Sequence, residues 1–165
     1  MNIQYAKTIL YAYPQLKKMI KQNDKLIKKK AFESSEDIRS ATIIFDEIID
    51  LKLEKGLLFD LGVNTATALA KLDPVLLDYI RYGYFRVEVE SVKNDSPKHR
   101  FDMRKKATNK FAKALDNAGI TDEAFETLLS LSENMRAFLD NVIQKDNENK
   151  EKTKKRLASI KANKG

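Results

Sequence analysis

Between Ser96 and Gly119 the chain reads SPKHRFDMRKKATNKFAKALDNAG. Serine followed by proline opens a helix: the hydroxyl accepts a first-turn N–H, and proline needs no donor there. Asn117, Ala118 and Gly119 form a matching stop. At about 100° per residue, Met103, Ala107, Phe111, Ala114, Leu115 and Ala118 fall on one side. Lys98, Lys105, Lys106, Asn109 and Lys113 fall on the other, with Arg104 and Lys110 on the flanks. Ammonium and guanidinium groups at this spacing suit charge-assisted hydrogen bonding to the phosphates of a polyanion. A recognition helix divides its surface in this way, with an apolar side clamped to the domain and a polar side in the major groove. Lys98, His99, Arg100 and Asp102 are therefore candidate base readers. Lys105, Lys106, Asn109, Lys110 and Lys113 are candidate phosphate contacts, and Arg104 flanks them in the same DNA-binding face.

Other chemistry has little to work with. The chain has no Cys and one His, which leaves no thiolate site and no His-based metal cluster. Asp46, Glu47 and Asp50 are near neighbours, and paired carboxylates can act as acid, base or metal ligand. Here they sit among lysines on an amphipathic segment and read as solvated surface. No glycine-rich phosphate loop and no nucleophile–base motif occurs. The expectation is a protein that is not an enzyme, with no catalytic residues, no metal and no cofactor. Its 31 Lys and Arg against 24 Asp and Glu give a net charge of +7, which suits a polyanionic partner. The lack of Cys, of a signal-peptide pattern and of an apolar run of membrane-spanning length points to a cytoplasmic protein with no membrane partner.

The rest of the chain must position the basic helix. Five Gly and three Pro in 165 residues, with long apolar periodicity, predict an all-α fold. Residues 3–12 form a short helix with Ile3, Ala6, Ile9 and Leu10 inward. Pro14 opens a second helix, to about Lys30, whose many lysines make a solvated face. Ser34 or Ser35 caps a third, with Glu36 and Asp37 at its positive end. Its Ile38, Ala41, Ile44, Phe45, Ile48, Ile49 and Leu51 predict a main core helix. It runs on to Leu72, or breaks at Gly56 or Gly62 with a restart capped by Asn64 or Thr65, Ala66, Leu69, Ala70 and Leu72 then packing inward.

Asp73 caps and Pro74 opens the next helix, which carries Leu76, Leu77, Ile80, Tyr84 and Phe85 inward. Arg86 to Val92 alternates like a strand, but with no partner strand it is read as a short helix with Val89 and Val92 on one face. After Gly119, Thr121 caps an apolar helix through Ile143. Beyond Gln144 the chain is a frayed helical extension or a charged arm. The expected organisation is an N-terminal helical hairpin or bundle over 1–72, for dimerisation or partner binding, a helix-turn-helix region over 73–143, and a charged tail over 144–165.

The run LDPVLLDYIRYGYF, a short link, then SPKHRFDMRKKATNKFAKALDNAGITDEAF resembles small phage and prophage proteins of Firmicutes. Their shared domain is similar to region four of bacterial sigma factors, and they include late-gene regulators of the ArpU type. Tyr82, Gly83, Tyr84 and Phe85 match the helix end that leads into their helix-turn-helix, and AYPQLKKMIKQNDKLIKKKAFES is similar to their N-terminal part. The resemblance implies a transcription regulator acting on double-stranded promoter DNA, with RNA polymerase as a further partner. A homodimer stays open as the assembly of the chain. The alternative is a helical interaction module that docks on a host protein such as RNA polymerase without specific DNA binding.

Overall fold

The computed structural model describes residues 1–32 and 38–162. Among them there are α-helices and one 3-10 turn, and no strand. The helices are α1 (Ile3–Ala12), α2 (Leu16–Ala31), α3 (Ile38–Ala70), α4 (Pro74–Tyr84), α5 (Glu90–Lys93), α6 (Pro97–Asn117), α7 (Asp122–Leu131) and α8 (Glu133–Ala162). The all-α expectation holds. The proposed serine cap at Ser34 or Ser35, with Glu36 and Asp37, lies outside the described residues.

The short first helix sits at the centre. α1 packs against α4, α6 and α8, and Ala6, Thr8, Ile9, Leu10 and Ala12 are all fully buried. The Asn2 side chain accepts the Gln4 N–H at 2.8 Å and so caps α1. Asn2 also donates its own N–H to Asp122 at 2.8 Å, which ties the start of α1 to the start of α7. Pro14 sits in a 3-10 turn, Tyr13–Gln15, that turns the chain into α2 without a loop.

α3 is one unbroken helix that passes through Gly56 and Gly62. No restart occurs, so Thr65 is not a cap. It is fully buried, beside buried Ala68 and Leu69, while Ala66 and Ala70 are exposed. The C-terminal half of α3 packs on α6 and α7 through Leu58, Leu61, Ala68 and Leu69. Its N-terminal half corrects the expectation of a main core helix. α3 pairs with α2 as a hairpin, joined by Lys30–Glu47 at 2.5 Å in this half and by Lys55–Asp24 at 2.6 Å at the middle of the helix. Two helices bury one stripe of each other and leave the remaining sides to solvent. Ile38, Ala41, Phe45 and Ile49 are accordingly exposed, and Ile44, Ile48 and Leu51 only half-buried.

A second correction lies in the apolar stretch after Thr121. It divides at Ser132, whose extended backbone (φ −106°, ψ 107°) ends α7 and starts α8. Ser132 is fully buried, and its hydroxyl accepts the Met135 N–H at 3.3 Å. The Arg136 guanidinium donates to the Leu129 and Ser130 carbonyls at 3.1 and 3.2 Å, satisfying the end of α7. Ser132→Ala should therefore cost about 1–2 kcal/mol, since it strands a buried N–H that the hydroxyl satisfied. Urea denaturation checks this, and a change below about 0.5 kcal/mol would remove the cap from the account.

The residues after Gln144 do not fray at once. α8 continues to Ala162, with Lys7 holding Asp146 at 2.8 Å and every residue from Asn147 to Ile160 exposed. The helical-extension alternative therefore describes residues 145–162.

Candidate nucleic-acid interface

α6 begins and ends where its punctuation requires. The Ser96 hydroxyl accepts the His99 N–H at 3.2 Å, and Pro97 is the first helical residue. At the other end Gly119 takes φ +90°, a left-handed conformation that suits glycine. The inward stripe contains Ala107, Phe111, Ala114 and Leu115, all buried, with Met103 and Ala118 half-buried at its edges. Thr108 and Ala112 are also buried and widen the stripe. α4, α1 and α3 together cover this side.

The opposite side faces solvent. Lys98, His99, Asp102, Lys105, Lys106, Asn109, Lys110 and Lys113 are all exposed. Residues from Asp102 to Lys113 on this face border one shallow open depression, with Asp102 as the only acid among the described residues that line it. Lys110 has a loose ion pair with Asp73 at 3.6 Å, both side chains more than half exposed, which is worth little in water. Asp73 sits at the N-cap position of α4, but its side chain caps no N–H there.

The two arginines are held by their own support. The Arg100 guanidinium donates to the Lys93 carbonyl at 2.9 Å and stands 5.8 Å from the Tyr82 ring centre. Arg104 lies over Tyr84 at 6.0 Å, and a Cβ on Gly83 would come within 2.6 Å of its Cδ. Gly83 thus makes room for Arg104, in addition to lying near the end of α4. Both arginines hold α6 against α4, so they reach outward less freely than the lysines. Sequence periodicity places Arg104 on the flank and Arg100 among the candidate base readers, but it does not show what either touches.

The link between α4 and α6 is largely irregular. Only Glu90–Lys93 is helical, a single turn, and Arg86 to Val89 is non-helical, with Arg86 at φ +56°. This shortens the helix expected over Arg86–Val92. Val92 is buried and Val89 half-buried, so the expected apolar pair still faces inward. Tyr79 donates to Asp95 and His99 meets the Tyr79 ring edge-on at 6.1 Å, which fixes the start of α6. The hydrogen bond to Asp95, with some burial, raises the Tyr79 pKa above the usual phenol value. Burial likewise raises that of Tyr84, against the opposing hydrogen bond with Thr108 at 2.8 Å. Both phenols are neutral at physiological pH and act as structural groups.

One feature escaped sequence reasoning. Phe101, 56% exposed on α6, borders a cleft between α1, α6 and α8 that Tyr11, Tyr84, Arg104 and Lys145 also line. Lys145 stands 5.0 Å from the Tyr11 ring centre. These residues come from distant parts of the chain, and no spacing in the sequence marks them. Among the described residues no group of His, Cys, Asp or Glu is placed to hold a metal ion, and no helix is long and apolar enough to cross a membrane. Compared with known proteins, the chain matches no family model, no characterised protein and no solved structure.

Proposed function

We propose that the protein binds duplex DNA through the outer face of α6, as a regulator of transcription. The observation that carries this reading is the division of α6: a fully buried Phe111 and Leu115 on one side, and Lys98, Lys105, Lys106 and Lys113 exposed on the other. Immobile apolar anchoring holds the cations at fixed helical spacing, so phosphate contact orders little new structure. Lys98, His99 and Asp102 at the N-terminal end are the side chains placed for base edges, and Arg100 supports them from the Lys93 carbonyl. The resemblance to sigma region-four-like phage regulators fits promoter DNA as the target. The single-turn α5 departs from a regular helix-turn-helix, so α4 supports α6 directly here.

The test is affinity for a duplex across a salt series. Release of counterions by about five phosphate contacts predicts a slope near −4.5 in log K against log salt, hence roughly a 500-fold loss from 0.05 to 0.2 M. Affinity that is flat with salt sinks the reading. The second reading, a helical interaction module, is favoured by a separate feature, the uncovered apolar side chains of α3.

A further inference from the structure

We infer that α3 is the self-association surface of this protein, pairing antiparallel with α3 of a second copy. The inference does not depend on DNA binding.

The side of α3 opposite its buried stripe carries Ile38, Thr42, Phe45, Ile49, Lys52, Gly56, Phe59 and Val63. Successive members of this row are separated by alternating steps of four and three residues, the spacing of a coiled-coil seam. Such a spacing fits another helix better than an irregular loop or a flat surface. Phe45 is 63% exposed and Phe59 60%. The buried residues Glu54, Leu58, Leu61 and Thr65 lie on the far side of the same helix, so the seam faces away from the side that the core covers.

Gly56 provides a second, independent observation. It lies inside α3, where glycine is poorer than alanine, and a Cβ there would meet nothing within 4 Å. Packing within the described chain does not require it. A neighbouring helix would, because only glycine admits a bulky side chain against the backbone at that point.

The direction follows from size and charge. Residues whose numbers sum to 101 face each other in the antiparallel register. Phe45 then falls on Gly56 of the second copy, Phe59 on Thr42, and Ile38 on Val63. Each large ring meets a small residue. Ile49 falls on Lys52, whose methylene stem covers it while the ammonium reaches the edge. The edges also match: Arg39 approaches Asp60, and Lys52 approaches Asp46. None of these four charged groups has an ion-pair partner among the described residues of its own chain. The parallel register stacks Lys52 on Lys52, Phe45 on Phe45 and leaves Gly56 opposite Gly56, which puts like charges together and a void between rings. Self-complementary pairing of one surface with itself is what a two-fold dimer requires.

Sedimentation equilibrium of the full chain without DNA tests this. The expected result is a monomer–dimer equilibrium. Phe45→Asp with Phe59→Asp should weaken it at least about 30-fold, the loss expected of central hot-spot residues, with the helical circular dichroism unchanged because both side chains are solvent-exposed in the monomer. Gly56→Leu should also weaken association, while leaving the melting temperature of dilute protein equal or higher. The direction is read by cross-linking. The chain has no Cys, so Phe45→Cys and Gly56→Cys chains can be mixed and oxidised. Antiparallel pairing gives the mixed disulfide in excess over either homodimer. A monomer at every concentration overturns the inference and leaves the seam to a different protein. Unchanged association in the aspartate variant, or predominant disulfide formation between two Phe45→Cys chains, overturns it as well.

Discussion

Lys105→Glu with Lys106→Glu should reduce duplex DNA affinity on the order of 100-fold or more near 0.1 M salt, with folding unchanged. Both side chains are exposed, and neither has an ion pair among the described residues, so the fold loses nothing when they are replaced. Each substitution removes one phosphate contact and places a carboxylate where phosphate is expected. The salt slope should fall by about two as well. The overall field changes too, so a matched control is needed. Lys28→Glu with Lys29→Glu makes the same charge change on exposed positions of α2, away from α6. It should cost less than about 5-fold, because at this salt the Debye length is about 10 Å. Equal losses in the two variants would mean that net charge, and not the α6 face, drives binding.

The largest effect on stability is expected from Phe111→Ala, at about 3–5 kcal/mol. Phe111 is fully buried at the middle of the inward stripe of α6, within the core cluster formed with α1, α3, α4 and α7. Removing the ring costs its transfer free energy and leaves a cavity that helices on several sides cannot close together. A domain of this size is typically stable by about 5–15 kcal/mol, so the variant should be marginal or unfolded at physiological temperature. Phe111→Leu fills most of the space and should cost less than half as much. The measurement is urea unfolding followed by helical ellipticity. A loss for Phe111→Ala below about 1.5 kcal/mol would show that α6 is not anchored through this residue. The two variants also separate the roles of the helix: one changes the bound partner and keeps the fold, the other removes the fold that presents the lysines.

Much of the local structure was legible in single residues. The start and end of α6 follow from Ser96-Pro97 and Gly119, because a proline ring and a left-handed glycine permit few alternatives. α1 was readable over Ile3–Ala12 because its apolar residues recur at helical spacing. The N-terminal half of α3 was not. Ile44, Phe45, Ile48 and Ile49 repeat just as regularly, and periodicity reports that a face is apolar without reporting what covers it. The break at Ser132 was missed for a related reason. Serine inside an apolar run reads as a tolerated polar residue, and only its burial and the Met135 N–H show that it caps a new helix. Arg100 and Arg104 illustrate the same limit at the candidate site, since their partners Lys93, Tyr82, Tyr84 and Gly83 are set by packing.

By itself the amino-acid order determined an all-helical chain, where α1 and α6 begin and end, and which side of α6 is charged. Those properties are local, decided within a few turns by backbone sterics, capping and side-chain polarity. Tertiary structure alone decided that α1 is the central helix, that α6 keeps its lysines in solvent, and that the side of α3 turned away from α2 and the core has no cover among the described residues. These depend on which surfaces meet, and apolar attraction has no direction of its own, so a stripe carries no label for its partner until the whole chain has packed.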